Sequence, residues 1–462
     1  MVRQKLLHFT EEGPDGGNGR NSFEPSRASQ AARASRETTT TAGTSLMDEV
    51  LHQETLTRAW KQVRANQGAP GVDGITIDAF PAWYREHGSA VMQALREGRY
   101  QPSPVRRVDI PKPGGGTRML GVPTVLDRLI QQAIVLVLTP ILDPTFSPSS
   151  YGFRPGRSAH DAVRTARKFV AEGHRWVVDL DLSKFFDRVN HDILMERLAR
   201  RIADKTLLRL VRRYLAAGMM QDGVVVERAE GTPQGGPLSP LLANLLLDEW
   251  DQELDRRGHR FCRYADDCNI YVRSRKAGQR VMAWCRKLLE GRLRLKVNEE
   301  KSAVDRPWNR KFLGMSVTCN RVPKIRVASQ SVDRLQSRVR AFTARRRGIS
   351  IRRMVDELNR FLRGWIGYYR LAETPSRFEE LDGWIRRRLR CFLLSQWKAG
   401  RGRRRALHRL GVRDAGHISW SRKGPWRLSK TQQTHQGLNA AYFRSLGLLS
   451  LADHWRTLSQ AS

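Results

Sequence analysis

Two regimes of apolar spacing divide this chain of 462 residues near position 320. In the first, short runs with period-two alternation are interleaved with longer runs at helical spacing. An apolar stripe from Leu56 to Val63 predicts a helix ending before Gly68, and Gly68-Ala69-Pro70-Gly71-Val72-Asp73-Gly74 reads as a turn. Val105–Ile110 predicts a strand, Pro111 to Gly116 a hairpin turn, and Thr117–Val122 the returning strand. A mostly apolar helix is expected over Val125–Leu138. Trp176–Leu182 is a β-rich run that sets Asp179 and Asp181 on one face, because strand side chains alternate. A helix over Leu207–Leu215, a strand over Val224–Arg228 and a long helix over Leu238–Leu254 follow, the last opened by Pro237 and Pro240. Phe261–Tyr264 and Cys268–Val272 predict the two arms of a hairpin, and Gly278–Leu289 a further helix. Strands and helices alternating in this way predict an α+β domain.

Beyond residue 320 the spacing is helical. Ile351, Met354, Val355, Leu358, Phe361, Leu362, Trp365 and Tyr369 form one stripe, with Arg352, Arg353, Arg360 and Arg363 off it. Leu381, Trp384, Ile385, Leu389, Phe392 and Leu393 form a second, against Arg386, Arg387, Arg388 and Arg390. The pattern predicts a helical domain, apolar inside and basic outside. No internal repeat is visible.

Charge sharpens this division. The chain carries 82 Lys and Arg against 46 Asp and Glu, a net +36, which calls for a polyanionic partner. From Asn320 to Ser462 there are 32 basic and 9 acidic residues, so +23 of that surplus lies in the last third. The densest stretch is 398–413, with Arg401, Arg403, Arg404 and Arg405. Any one arginine is most simply a solvated side chain; as a set, Arg352, Arg353, Arg363, Arg386, Arg387, Arg388, Arg403, Arg404 and Arg405 are candidates for phosphate contact. Residues 1–46, rich in Gly, Ser, Thr, Ala and Arg, are expected to be disordered. The five cysteines, at 262, 268, 285, 319 and 391, form no paired motif and fit a reducing compartment. Leu129–Leu142, interrupted by Gln131, Gln132 and Thr139, is expected to be too short and too polar to span a bilayer. No secretory signal is evident, so a bacterial cytoplasmic protein without a membrane partner is expected.

The candidate chemistry lies in Tyr264-Ala265-Asp266-Asp267. Two carboxylates at the tip of a hairpin can hold hard divalent cations, and a cation pair stabilises both attacking and leaving oxygens in nucleotidyl transfer. Aspartate is also a common turn residue, so the tetrapeptide alone leaves both readings open. A third carboxylate, from Asp181-Leu182-Ser183-Lys184-Phe185-Phe186-Asp187, joins the pair if the strands are neighbours in one sheet. Asp179 and Asp187 are rivals to Asp181, and spacing does not choose among them.

These two segments, with Gly231-Thr-Pro-Gln-Gly-Gly-Pro-Leu-Ser-Pro240, stand in the order and spacing of reverse transcriptases. More narrowly the chain resembles the reverse transcriptase–maturases of bacterial group II introns. Gly71-Val-Asp-Gly74, Ile110-Pro-Lys-Pro-Gly-Gly-Gly-Thr-Arg118, Tyr151-Gly-Phe-Arg-Pro-Gly156, Leu295-Lys-Val-Asn-Glu-Glu-Lys301, Phe312-Leu-Gly314 and Leu362-Arg-Gly-Trp-Ile-Gly-Tyr-Tyr369 carry the resemblance over roughly residues 47–460. It implies a right-hand polymerase fold, α+β fingers and palm over 47–320, then an all-α thumb or maturase domain over 321–400 and a basic nucleic-acid-binding region over 401–462. It implies that Asp181, Asp266 and Asp267 hold two Mg2+ ions. It further implies that Lys112 and Arg118 hold the incoming triphosphate, that Phe186 crowds the sugar 2′ position, and that Gln234 touches the nascent pair. The implied partners are group II intron RNA, an RNA template with a DNA primer, deoxynucleoside triphosphates and target DNA.

The tail from Arg413 has no cysteine, and its histidines at 417, 435 and 454 are far apart, so a nuclease-less member of the family is expected. Two alternatives have other functions: a non-catalytic RNA-binding maturase, and a host-adopted reverse transcriptase of phage defence. The intact Asp triad and the unaltered Gln234-Gly-Gly-Pro-Leu-Ser-Pro240 segment favour an active polymerase with a maturase role.

Overall fold

The computed structural model describes residues 45–111, 117–221, 224–226, 230–232, 235–420 and 423–460. The expected disordered segment 1–46 lies outside them except for its last two residues, where Ser45 caps the helix Leu46–Val50 through a reciprocal bond with Asp48. The chain forms two compact units. One comprises residues up to Gly156, Asp181–Gly258 and Ala283–Glu299; the other comprises Arg157–Leu180, His259–Met282 and Glu300–Ser462.

The first unit holds a sheet of β1 (Val105–Pro111), β2 (Thr117–Val122), β4 (Met219–Gln221) and β5 (Val224–Val226), in the order β2-β1-β4-β5. β1 and β2 are antiparallel, with Ile110 opposite Arg118, as the hairpin reading expects. The helix Val125–Leu142 is its apolar axis: Val125, Leu129, Ile134, Leu138 and Leu142 are buried. This segment is longer than its polar interruptions imply. Val125–Thr145 is long and apolar enough to cross a membrane by length and composition alone, and 61% of its most apolar window is buried in the fold. The interruptions are spent internally. Asp127 accepts bonds from the hydroxyls of Tyr100 at 2.8 Å, Tyr214 at 3.2 Å and Thr124 at 2.7 Å. Burial still pushes its carboxyl up in pKa. The helix Ser239–Arg256, with Pro240 in its first turn, buries Leu242, Leu246 and Trp250.

The second unit contains the sheet of β3 (Trp176–Leu180), β6 (Arg260–Tyr264), β7 (Asp267–Val272) and β8 (Ala303–Asp305), ordered β6-β7-β3-β8 and antiparallel throughout. The helix Ala159–Ala171 packs on β6 and β7, with Phe169 and Tyr271 at 5.8 Å between ring centres. A second hairpin joins β9 (Met315–Val317) to β10 (Ile325–Val327). The helices Ser329–Phe342, Ile351–Tyr369, Pro375–Gln396 and Gly400–Arg409 follow. The stripe predicted over 351–369 is the buried face: Met354, Val355, Leu358, Leu362 and Tyr369 are inside, while Arg352, Arg353, Arg360 and Arg363 are exposed. Asp382 ties the last helix to this bundle, accepting bonds from Ser450 Oγ and the amides of Leu451 and Ala452 at 2.8–3.0 Å.

Candidate active site and nucleic-acid surface

The hairpin predicted around the Asp pair is present, with a tighter turn than expected. Tyr264 pairs directly with Asp267, so the loop is only Ala265-Asp266, and Asp267 already belongs to β7. Ala265 takes φ 58°, a place that two-residue hairpins normally reserve for Gly or Asn. A side chain there costs about 1–2 kcal/mol. Arg263 holds the turn from beneath: its guanidinium is fully buried and Nη1 donates to the Ala265 carbonyl at 2.8 Å. Strand alternation had not singled out Arg263; its one signal was a cation in an otherwise apolar strand beside two acids.

β3 is shorter than the predicted run and ends at Leu180, paired with Cys268. The three rival carboxylates therefore have distinct settings. Asp179, inside the strand, receives Arg310 Nε at 2.7 Å and is 13% exposed. Asp187 lies in the 3₁₀ turn Phe185–Asp187 and is exposed. Asp181 follows the strand; its Oδ2 accepts Asn298 Nδ2 at 3.0 Å, and its carbonyl accepts the Asn298 amide at 2.9 Å. Asn298 was legible only as part of the segment Leu295–Lys301, with no role attached.

Phe186 is half-buried and meets Phe185 edge-on at 5.1 Å. Its carbonyl accepts the Thr232 amide at 2.7 Å, and Val189 accepts that of Gly231 at 2.8 Å. The Gly231 loop is thus clipped to the Phe186 turn by two backbone bonds. Gly231 has φ +90°, and a Cβ there would meet the Phe186 carbonyl at 2.9 Å. Gly235 has φ +130°, and its Cβ would lie 2.7 Å from the Gly121 carbonyl of β2. The buried His191 completes the clip, donating from Nε2 to the Gly231 carbonyl at 2.5 Å. Burial holds its pKa below the usual histidine value. Lys112 and Gln234 lie outside the described residues. Arg118 is placed by its backbone in β2.

Tyr368, also missed as an individual, reaches back from the helix Ile351–Tyr369. Its hydroxyl donates to the Leu313 carbonyl at 2.8 Å, and its own carbonyl sits 2.6 Å from His160 Nε2. Burial, with the phenols of Tyr369 and Tyr264, pushes its pKa up to about 12. This ties the loop Phe312–Gly314 to the helical region.

Of the nine candidate phosphate-binding arginines, Arg352, Arg353, Arg363, Arg404 and Arg405 are exposed. Arg386, Arg387, Arg388 and Arg403 are half-buried, and three of these make internal bonds. Arg388 Nε donates to Thr343 Oγ1 at 3.0 Å, Arg403 Nε to the Leu394 carbonyl at 2.9 Å, and Arg387 Nε to Ser429 Oγ at 3.4 Å. Arg390, read as part of the basic exterior, is instead buried: Nε donates to the Leu438 carbonyl at 2.8 Å. Burial, then the neighbouring Arg386, lowers its pKa to about 10. Helical periodicity marks which side is apolar; it does not tell which off-stripe arginines fold back onto other helices.

Asp181, Asp266 and Asp267 carry carboxylates, the side-chain oxygens that a hard cation such as Mg2+ prefers. Among the described residues no three His, Cys, Asp or Glu side chains group to hold an ion by themselves.

Two families match successive parts of the chain. Residues 110–317 match the family described as reverse transcriptase (RNA-dependent DNA polymerase), and residues 332–411 match the group II intron, maturase-specific domain. The chain is 34% identical to protein YkfC of Escherichia coli K12 over 299 residues, which is 56% of this chain and 78% of that protein. It is 38% identical over 195 residues to the group II intron-encoded protein LtrA of Lactococcus lactis subsp. cremoris, covering 42% of this chain and 32% of LtrA. Among solved structures, a partial Cas6-RT-Cas1–Cas2 complex has a TM-score of 0.36 at 26% identity, over 54% of this chain and 43% of that one. With both family matches in order along one polypeptide, the chain belongs to the group II intron reverse transcriptase/maturase family, an RNA-directed DNA polymerase joined to a splicing-maturase domain.

Proposed function

We propose that Asp181, Asp266 and Asp267 are the metal-binding carboxylates of DNA synthesis and that they take two Mg2+ ions. When bound, such a pair stabilises the attacking primer oxygen and the departing pyrophosphate. The observation that supports this reading is the acidic hairpin: Tyr264 pairs with Asp267, so Asp266 and Asp267 stand together at one two-residue turn. The Asn298 amide orients the Asp181 carboxylate by bonding Oδ2. Arg263 fixes the Ala265 carbonyl and with it the turn that presents Asp266.

In the same reading, Phe186 crowds a sugar 2′-hydroxyl and favours deoxynucleotides, Lys112 and Arg118 hold the triphosphate, and Gln234 touches the nascent pair. The template is RNA with a DNA primer. The exposed arginines of the helices Ile351–Tyr369 and Gly400–Arg409 dock the group II intron RNA that the protein helps to splice, and target DNA is the site of intron insertion. Primer extension on an RNA template with deoxynucleotides and Mg2+ tests the proposal. DNA product is expected from the parent chain and not from Asp266→Ala; equal synthesis by both would overturn the metal-site assignment.

A further inference from the structure

Trp426 is, among the described tryptophan side chains, the one that is exposed, at 37%. It belongs to the short helix Pro425–Leu428, beyond the densest basic stretch 398–413. One face of its indole is covered: the Arg387 guanidinium lies 3.6 Å from the ring centre, with that of Arg388 at 5.9 Å. The backbone that carries the ring is anchored. Arg387 donates to Ser429 Oγ at 3.4 Å and to the Trp426 carbonyl at 3.5 Å, Ser429 Oγ donates to the same carbonyl at 2.7 Å, and Leu428 and Ser429 are fully buried. Lys423, Arg427 and Lys430, all within four residues of it along the chain, are exposed. No Asp or Glu occurs between Asp414 and Asp453, so this positive field is not opposed from within the segment.

An apolar ring kept at the surface, backed by a cation and flanked in sequence by others, has the parts of a nucleobase platform. Unpaired bases stack on aromatic faces while basic side chains follow the phosphates. A ring already stacked on Arg387 has less freedom to lose on binding than a side chain without such a contact. A simple cation–π staple between Trp426 and Arg387 accounts for one ring face and not for the exposure of the rest or for the exposed cations flanking it in sequence. We propose that Trp426 is a stacking site for an unpaired base of RNA, with Arg387 behind the ring and Lys423, Arg427 and Lys430 holding the adjoining phosphates. The site rests on the RNA-binding reading above and gives it one base-contacting residue.

The test is equilibrium binding of the full chain to two RNAs at fixed salt: a hairpin with an unpaired loop, and a fully paired duplex of matching length. Trp426→Ala is expected to weaken loop binding about tenfold, with duplex binding and the salt slope unchanged. Trp426→Phe is expected to retain most of the loop affinity, which separates stacking from misfolding. Equal affinity of Trp426→Ala and parent for the loop RNA would overturn the site, as would an equal loss for loop and duplex. Failure of the parent to bind either RNA would instead overturn the RNA-binding reading itself.

Discussion

The acidic hairpin and the basic helices of the second unit use charge in opposite ways. In the hairpin two carboxylates are fixed residue by residue: Tyr264 pairs with Asp267, the loop has two residues, Ala265 is strained, and a buried arginine holds the turn. On the helices, charge is carried by many arginines, several of them exposed and not individually constrained by register. The first arrangement suits chemistry that depends on the position of single oxygens. The second suits a polyanion, for which the number of cations matters more than the place of each. Loss of one carboxylate should therefore be decisive, and loss of one exposed arginine slight.

The largest effect is expected at the hairpin. Asp266→Ala should lower primer extension by at least about a thousandfold while leaving RNA affinity within about twofold of the parent. Measuring both on one preparation would break the comparison if they fell together. Next comes the group behind the carboxylate: Asn298→Ala should raise the Mg2+ concentration for half-maximal extension by about tenfold, since it removes the bond that orients Asp181. On the helices, a triple Arg352→Ala, Arg353→Ala, Arg363→Ala variant should reduce the slope of log affinity against log salt by about two to three. Each single variant should weaken binding by only about twofold or less, and a full loss from one of them would show that these arginines are specific ligands after all.

The smallest effect concerns pH. His191 is buried and bonded to the Gly231 carbonyl, and its pKa is held below the usual value. The unfolded chain therefore binds a proton more readily than the folded one. Its contribution is fully present above the ordinary histidine pKa and is lost as pH falls toward the depressed folded value. Thermal unfolding from pH 8 to pH 6 should show a small decline that His191→Gln flattens; an unchanged slope would remove His191 from the clip.

What could be read from the sequence followed the same contrast. The hairpin, its partner strand and the two arginine-bearing helices were legible because periodicity of two and of 3.6 is written in the apolar positions. The roles of Arg263, Asn298 and Tyr368 were not, because each acts across contacts that no local spacing encodes: Asn298 bonds a residue 117 positions away, and Tyr368 one 55 positions away. The segment Tyr151–Gly156 was legible as a motif but silent about its work. Arg154, 4% exposed in its side chain, is a latch that donates to Asp143 Oδ1 at 2.7 Å and to the Ser147 carbonyl at 2.6 Å. Arg390 shows the reverse error, since an arginine amid arginines looked like surface and proved to be interior.

The order β6-β7-β3-β8 also bears on how the molecule is made. Strand β3 leaves the ribosome early, yet both of its neighbours are encoded downstream; β7 begins about ninety residues later and β8 later still. At ordinary synthesis rates of about 5–20 residues per second, the central strand waits roughly 5–20 s with both edges unsatisfied. An apolar strand such as Trp176–Leu180, left unpaired for that interval, is a template on which other chains can pair. Expression yield should therefore depend on translation speed between residues 180 and 305 more than on speed anywhere in the tail.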